Sequence, residues 1–462
     1  MLFNTLVFLA VFLPLTLVGY FLIARWRSAA FARGFLTLAS LVFYAAWDWH
    51  YLPLLLGSIA FNYVVGERIL ANRGTRSGRG WLLLGLCVDL ALLALFKYAD
   101  FFISSSNALV GTGWHQLGLL LPIGISFFTF TQIAYLVDAW RGEVVHSDPV
   151  TYALFVTYFP HLVAGPIIHH KAMIPQFLAT PNFTLQQRNL AIGLTWFTLG
   201  LAKKMLLADR LAEIANPVFA QAQHVDGTTA WIGALAYSLQ LYFDFSGYSD
   251  MAIGLARCFN HELPINFASP YRATSIYEFW RCWHISLSAF LRNYLYIPLG
   301  GNRLGWLRQM SNLMITMLLG GLWHGAGWTY VVWGGLHGLY LVINHAWKRT
   351  GITVPIAIAW PLTLLAVVVA WVFFRAATFA DAGSLLTAMC GAHTDGIDGA
   401  VAHGRNLVLL AGTGALALLC PNSQQIMAKF RPTWWWAAIV IVLLLACCSR
   451  FGVDSPFLYY QF

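Results

Sequence analysis

Apolar runs recur along the whole chain with short polar breaks between them: Leu2–Ile23, Trp81–Phe96, Leu117–Val137, Leu190–Leu207, Trp231–Phe245, Ser311–Trp323, Trp328–Asn344, Pro355–Phe374, Leu407–Cys420 and Trp434–Cys448. A helix that crosses a bilayer needs about 20 mostly apolar residues. The longer runs therefore predict membrane-spanning helices. The shorter ones predict helices that tilt, re-enter or lie inside protein, the only places where irregular backbone survives in lipid. No Gly/Ser-rich or Pro-rich linker, low-complexity tract or fixed-period repeat interrupts the pattern. One all-α integral membrane domain over residues 1–462 is the economical expectation.

Composition strengthens this picture. The 462 residues are 59% hydrophobic and 10% charged, against roughly a quarter charged in a soluble domain. No single core could hide that much apolar surface, so lipid is the solvent. The net charge of +9 is scattered over short loops, which fits cytoplasmic loops and anionic lipid headgroups and argues against nucleic acid. The 7 cysteines show no C-x-x-C spacing and lie mostly in apolar runs, so neither a disulfide frame nor a zinc site is indicated. The first apolar run has no basic leader and no small-residue cleavage pattern, and reads as a retained helix.

Arg25, Arg27 and Arg33, then Arg68, Arg73, Arg76 and Arg79, form two basic loops around an apolar pair near Asp48–His50. Both loops should be cytoplasmic, which puts the N-terminus outside. Lys429 and Arg431 before the last run put the tail Arg450–Phe462 outside as well, although Arg450 weakens that bias. The polar stretch Cys390–Arg405 reads as an aqueous loop.

Polar residues are dense between Asp244 and His345, and at such density in an apolar chain they are expensive and by default functional. In FWRCWHISLS at Phe279–Ser288, a helical pattern would put Trp280, His284 and Leu287 on one face and Arg281, Ile285 and Ser288 on a neighbouring one. A histidine beside an arginine face could hold an anionic donor; equally, His284 could hydrogen-bond a backbone carbonyl between helices. In LLGGLWHGAGWTY at Leu318–Tyr330, His324 is flanked by Gly320, Gly321, Gly325 and Gly327. Glycines there break the helix and clear room for a substrate, which would expose the histidine to a cavity as a general base. The alternative is tight helix packing with His324 as a strut.

His337, in GGLHG, is expected to support the site from behind the reacting groups, because its distance from His324 is no metal-ligand spacing. The adjacent His169 and His170 cannot share a helix face and read as loop residues, so no metal site is expected. Asp244 and Asp250, in YFDFSGYSDM, need partners in an apolar setting, and Arg281 or Arg272 are the nearest candidates. Serine-hydrolase, Walker and dinucleotide motifs are not found.

Several segments together resemble the membrane-bound O-acyltransferase family, in the branch of the alginate O-acetylation membrane subunit. They are LPIGISFFTFTQIAYLVDAWRG at Leu121–Gly142, FPHLVAGPI at Phe159–Ile167, QLYFDFSGYSDMAIGLA at Gln240–Ala256, EFWRCWHISLSAFLRNYLYIPLGGNR at Glu278–Arg303, GGLWHGAGWTYVVWGGLHG at Gly320–Gly338 and FLYYQF at Phe457–Phe462. The resemblance implies a ring of helices, about 11 transmembrane plus short or re-entrant ones, around a central reaction tunnel. The catalytic core would cover about 121–345. It implies His324 as the catalytic histidine and His284 as the second polar residue of the tunnel, with Arg281, Arg292, Asn293, Trp323 and His337 towards the substrate. Cys282 departs from relatives that often carry an arginine there, so Arg281 and Arg292 are left to hold the anionic part of the donor. FLYYQF is similar to a C-terminal motif of related D-alanylation systems in which a tyrosine is a candidate acyl carrier; Tyr459 takes that place. An aromatic anchor at the end of the last helix is the alternative.

The expectation is a membrane O-acetyltransferase of the bacterial inner membrane. It would take acetyl from acetyl-CoA or an acetylated carrier protein, with no bound cofactor, and serve an extracytoplasmic polysaccharide through an SGNH-type partner transferase. An exporter, a scaffold subunit and an acyltransferase acting on a lipid or on peptidoglycan are the rivals; visible inverted repeats would favour the exporter.

Overall fold

The computed structural model describes residues 1–144, 146, 148–391, 403–451 and 457–458, and every regular element among them is helical. Among the described residues, five helical stretches are long and apolar enough to cross a membrane: Phe8–Trp26, Trp49–Ala71, Arg76–Val110, Gln187–Ala220 and Ile356–Arg375. Ala29–Ala45, Gly404–Leu419 and Trp434–Cys448 are shorter apolar helices. The chain forms two compact units interleaved in sequence, Met1–Thr198 with Ser249–Pro264 and Pro432–Ala437, and Leu199–Tyr248 with Ile265–Arg431 and Ala438–Phe462.

Several boundaries differ from those the apolar runs suggest. The run from Leu117 becomes helical only at Ile125, because Gly124 just before it adopts a left-handed φ of 72° that is not helical. The run Trp231–Phe245 is the middle of a 32-residue helix, Gly227–Cys258. Ala29–Ala45 and Trp49–Ala71 make the pair inferred around Asp48, whose side chain accepts from His50 N–H and turns the chain between them. Most of the expected aqueous loop Cys390–Arg405 lies outside the described residues.

The first unit is cemented by aromatic packing: Phe8, Phe12, Phe43 and Phe159 meet pairwise with ring centroids 5.4 to 6.2 Å apart. In the second unit the governing element is a helical hairpin, Trp306–His324 and Trp328–Arg349, joined through extended Gly325 and Gly327. Its base carries Arg303, Arg308, Lys348 and Arg349; its tip carries His324. At 1.5 Å per residue the tip lies about 27 Å along the first arm from Trp306.

The two arms touch backbone to backbone. A Cβ on Gly321 would overlap Tyr330 O, and one on Gly334 would overlap Met317 O. Gly321, one of the four glycines around His324, therefore serves helix packing, as does Gly334 on the facing arm. Gly334→Val should lower the stability of the detergent-solubilised protein by at least about 2 kcal/mol, read as a fall in its thermal midpoint. An unchanged midpoint would mean that the arms do not meet there.

Candidate active site

His324 is the last residue of its helix, where Gly325 turns extended. The break is where the glycines suggest it, but the ring is enclosed: His324 is 4% exposed. The rings of Trp323, Trp333 and Phe374 lie 5.0, 5.0 and 5.3 Å from it, each near edge-on. The expectation of a histidine left uncovered is corrected. Aromatic edges lie in the space that its glycine neighbours leave.

His284 stands 6.2 Å from His324, centroid to centroid, and 6.1 Å from Trp323. No single helix runs through it. Ile276–Cys282 ends before it, Ile285–Leu291 starts after it, and His284 itself is left-handed at φ 43°, ψ 55°. The shared helical face with Trp280 and Leu287 is thus overturned. A non-glycine residue in this region costs on the order of 1–3 kcal/mol, so neighbours must enforce it. Asn266 does so: its carbonyl accepts Ile285 N–H at 3.0 Å, and its Oδ1 accepts Ser286 N–H at 3.1 Å and Ser286 Oγ–H at 2.9 Å.

The same Oδ1 lies 3.2 Å from His284 Nδ1. A backbone N–H can only donate, so the Asn266 atom facing Ser286 is oxygen, and His284 Nδ1 must carry the proton. In the neutral ring Nε2 is then an acceptor. Phe245 closes the site, its ring edge-on to His284 at 4.7 Å.

Towards the hairpin base lies a cavity of about 680 Å³ lined by Arg281, Arg292 and Arg303 together with Trp280, Met317 and His345. Arg281 and Arg292, singled out in the sequence, both line this cavity, and Arg303 joins them from the loop before the hairpin. Arg292 opens a π-helical turn, Arg292–Tyr296, and donates to Asn293 Oδ1 at 3.2 Å. Trp280 lies between this cavity and the histidines. It donates to His337 Nδ1 at 3.2 Å and meets Trp333 at 5.8 Å. His337 is fully buried, 4.8 Å from Trp333, which in turn is 5.0 Å from His324. An indole thus stands between the two histidines.

Two other expectations change. Asp244 is paired with Lys204, 2.7 Å away, and not with Arg281 or Arg272; Asp250 accepts from Trp196 Nε1 at 3.1 Å. Lys204, a cation inside an apolar run, was a legible signal that the sequence reading passed over. Asn266 had none, because nothing in its neighbourhood marks an asparagine as a clamp. His169 and His170, in the first unit, converge on Asp138 Oδ2 at 2.9 and 3.0 Å, so they are more than loop residues. Three ligand atoms there lie within 4.8 Å of one another. Arg141 also pairs with Asp138 at 3.3 Å, so the group is accounted for as a hydrogen-bonded latch between the helices Ile125–Arg141 and His170–Leu178. Tyr459 lies outside the described residues.

Residues 125–380 match the model of the membrane-bound O-acyltransferase family. The chain is 45% identical over 421 residues to a peptidoglycan O-acetyltransferase of Helicobacter pylori, covering 85% of this chain and 80% of that one. It is likewise 45% identical over 397 residues to a probable alginate O-acetylase of Pseudomonas aeruginosa, covering 84% and 75%. A teichoic acid D-alanyltransferase of Streptococcus thermophilus is 30% identical over 242 residues, 50% of this chain and 58% of that one. With His324 and His284 facing each other inside an all-helical, multi-pass membrane chain, and with these likenesses, the protein belongs to the membrane-bound O-acyltransferase family.

Proposed function

We propose that the protein transfers acetyl from a cytoplasmic thioester, acetyl-CoA or an acetylated carrier protein, for O-acetylation of an extracytoplasmic polysaccharide. Its place would be the bacterial inner membrane, with both termini outside. Acetyl is favoured because relatives at 45% identity are named for O-acetylation. The observation that carries the reading is the polarity of the hairpin: a three-arginine cavity at one end, His324 at the other, and Trp280 and Trp333 between. Lys348 and Arg349 end the second arm, and basic residues favour the cytoplasmic face. The guanidinium groups suit the phosphates or acidic groups of a donor.

His324 takes the proton of an acceptor hydroxyl as its oxygen attacks the thioester carbonyl. A C–O bond forms, the C–S bond breaks, and His324 passes the proton to the departing sulfur, which leaves as the thiol. His284, which gives its Nδ1 proton to Asn266, presents Nε2 as an acceptor. The hydroxyl has one proton, which His324 takes, so His284 serves beside it as a fixed ring of the site wall; in this tautomer it has no proton with which to polarise the thioester carbonyl. The acceptor we assign is Tyr459, whose acetyl ester a partner of the SGNH type would pass to the sugar. Donor and sugar are on opposite sides of the membrane, and one histidine cannot reach both, so a covalent carrier divides the transfer into two steps.

His324→Ala should reduce acetyl transfer by about 10²–10⁴-fold in a protein that still inserts and folds; wild-type product from a well-expressed variant would overturn the assignment. His337→Ala should cost less per folded molecule, since Trp333 separates it from His324. Losses equal to those of His324→Ala would place it at the reaction instead.

Arg281→Gln and Arg292→Gln should raise the donor KM about tenfold and leave kcat at saturating donor near wild type. A donor KM that does not move would rule this cavity out as the donor site.

Tyr459→Phe should stop transfer and also abolish labelling of the purified protein by radioactive acetyl donor, whereas Tyr460→Phe should be tolerated. Full polysaccharide acetylation by Tyr459→Phe would make the tail an anchor.

A further inference from the structure

Lys204 enters the interior from a π-helical turn, Lys203–Ala208, that follows the helix Gln187–Ala202. Its ammonium lies 2.7 Å from Asp209 Oδ1 and 2.7 Å from Asp244 Oδ1, and the three side chains are 2%, 10% and 3% exposed. One cation between two carboxylates leaves a net negative charge where solvation is poor, and such a charge needs further donors. The C-terminal tail supplies one: Leu458 N–H donates to Asp244 Oδ2 at 3.1 Å.

The residue before it completes the fit. The Phe457 ring lies under the Lys204 ammonium, 4.8 Å from Nζ to centroid, and edge-on to Tyr248 at 4.5 Å. Phe457 and Leu458 are both buried, and Leu458 packs in the same apolar cluster as Trp283, Trp333 and Trp371. The residue after Asp244 is Phe245, whose ring abuts His284. The docking point of the tail and the wall of the histidine site are thus consecutive residues of one helix, and the next residue of the tail is Tyr459.

We infer that Lys204, Asp209 and Asp244 form a socket for the C-terminal tail at Phe457 and Leu458, with Asp244 as the positioning residue of the tail, so that transfer through Tyr459 would depend on it. The fit is specific to a backbone N–H preceded by an aromatic ring. The hydrogen bond fixes the height of the chain, and the cation under the ring fixes its rotation. The consequence for transfer rests on the carrier reading of Tyr459; the docking itself does not.

The test is hydrogen–deuterium exchange of the full-length protein in detergent, without donor or acceptor, followed by acetyl-transfer assays on the same samples. Asp244→Asn keeps the shape but cannot offer two acceptor oxygens, and Leu458→Pro removes the tail N–H without touching the buried ions. Both should speed exchange of the peptide covering the tail about tenfold or more, with peptides of the helix Gly227–Cys258 as protected as in wild type. Leu458→Ala, which keeps the N–H, should retain most of the protection. If Leu458→Pro and Asp244→Asn leave the tail peptide as protected as in wild type, the socket is wrong. If the tail is released and transfer continues at the wild-type rate, the socket stands and the carrier reading of Tyr459 falls.

Discussion

The contact on which the second unit depends is the one between two backbones, at Gly321 and Gly334, with no side chain between them. In lipid there is no hydrophobic gain from bringing two helices together, so close van der Waals packing has to hold them. Here it does so within a turn of His324 on one arm and directly beside Trp333 on the other. Everything described at the site follows from that closeness. Trp333, which has His337 four residues on in its own helix, reaches His324 only because its arm lies against the other, and His324 falls at the tip because the chain must turn there.

A second constraint is that polar groups withdrawn from water must find partners nearby. His284 is held in a backbone conformation it would not choose, and the hold is a single asparagine. Asn266 collects Ile285, Ser286 and His284 around one residue, turning local strain into a fixed ring orientation and a fixed tautomer. Such an arrangement gives a histidine one defined role. Lys204 follows the same rule with charges, and the surplus carboxylate oxygen it leaves on Asp244 is what makes a foothold for the tail.

Much of this could be read beforehand, and the failures have physical causes. The apolar runs locate the helices because length and hydropathy are direct consequences of the bilayer; Trp434–Cys448 was drawn to the residue. The glycines around His324 announced a break, since few other residues permit one. They did not announce that aromatic rings would fill the space, because that depends on Phe374, fifty residues on. His284 misled for the opposite reason. Left-handed backbone is usually signalled by glycine or asparagine, and here the clamp is on Asn266 while the strain is on a histidine. The partner of Asp244 was sought downstream among arginines, but pairing in space is indifferent to order, and Lys204 lies forty residues upstream. His169 and His170 were judged by helix geometry alone; a helix cap followed by a first-turn residue lets adjacent rings turn to one carboxylate.

The enclosure of His324 also bears on why the proposed transfer takes the order it does. A thioester or aryl ester held beside a base in open water would hydrolyse, so the rings of Trp323, Trp333 and Phe374 serve the chemistry by excluding water. That exclusion has a consequence. An imidazolium surrounded by aromatic edges has little solvation, so the proton taken from the hydroxyl cannot simply rest on His324; it must go on to the departing sulfur within the same encounter. The donor's sulfur therefore has to arrive at the same ring that the hydroxyl faces. A hairpin with a basic cavity at its base and the histidine at its tip has a form that suits the proposed transfer.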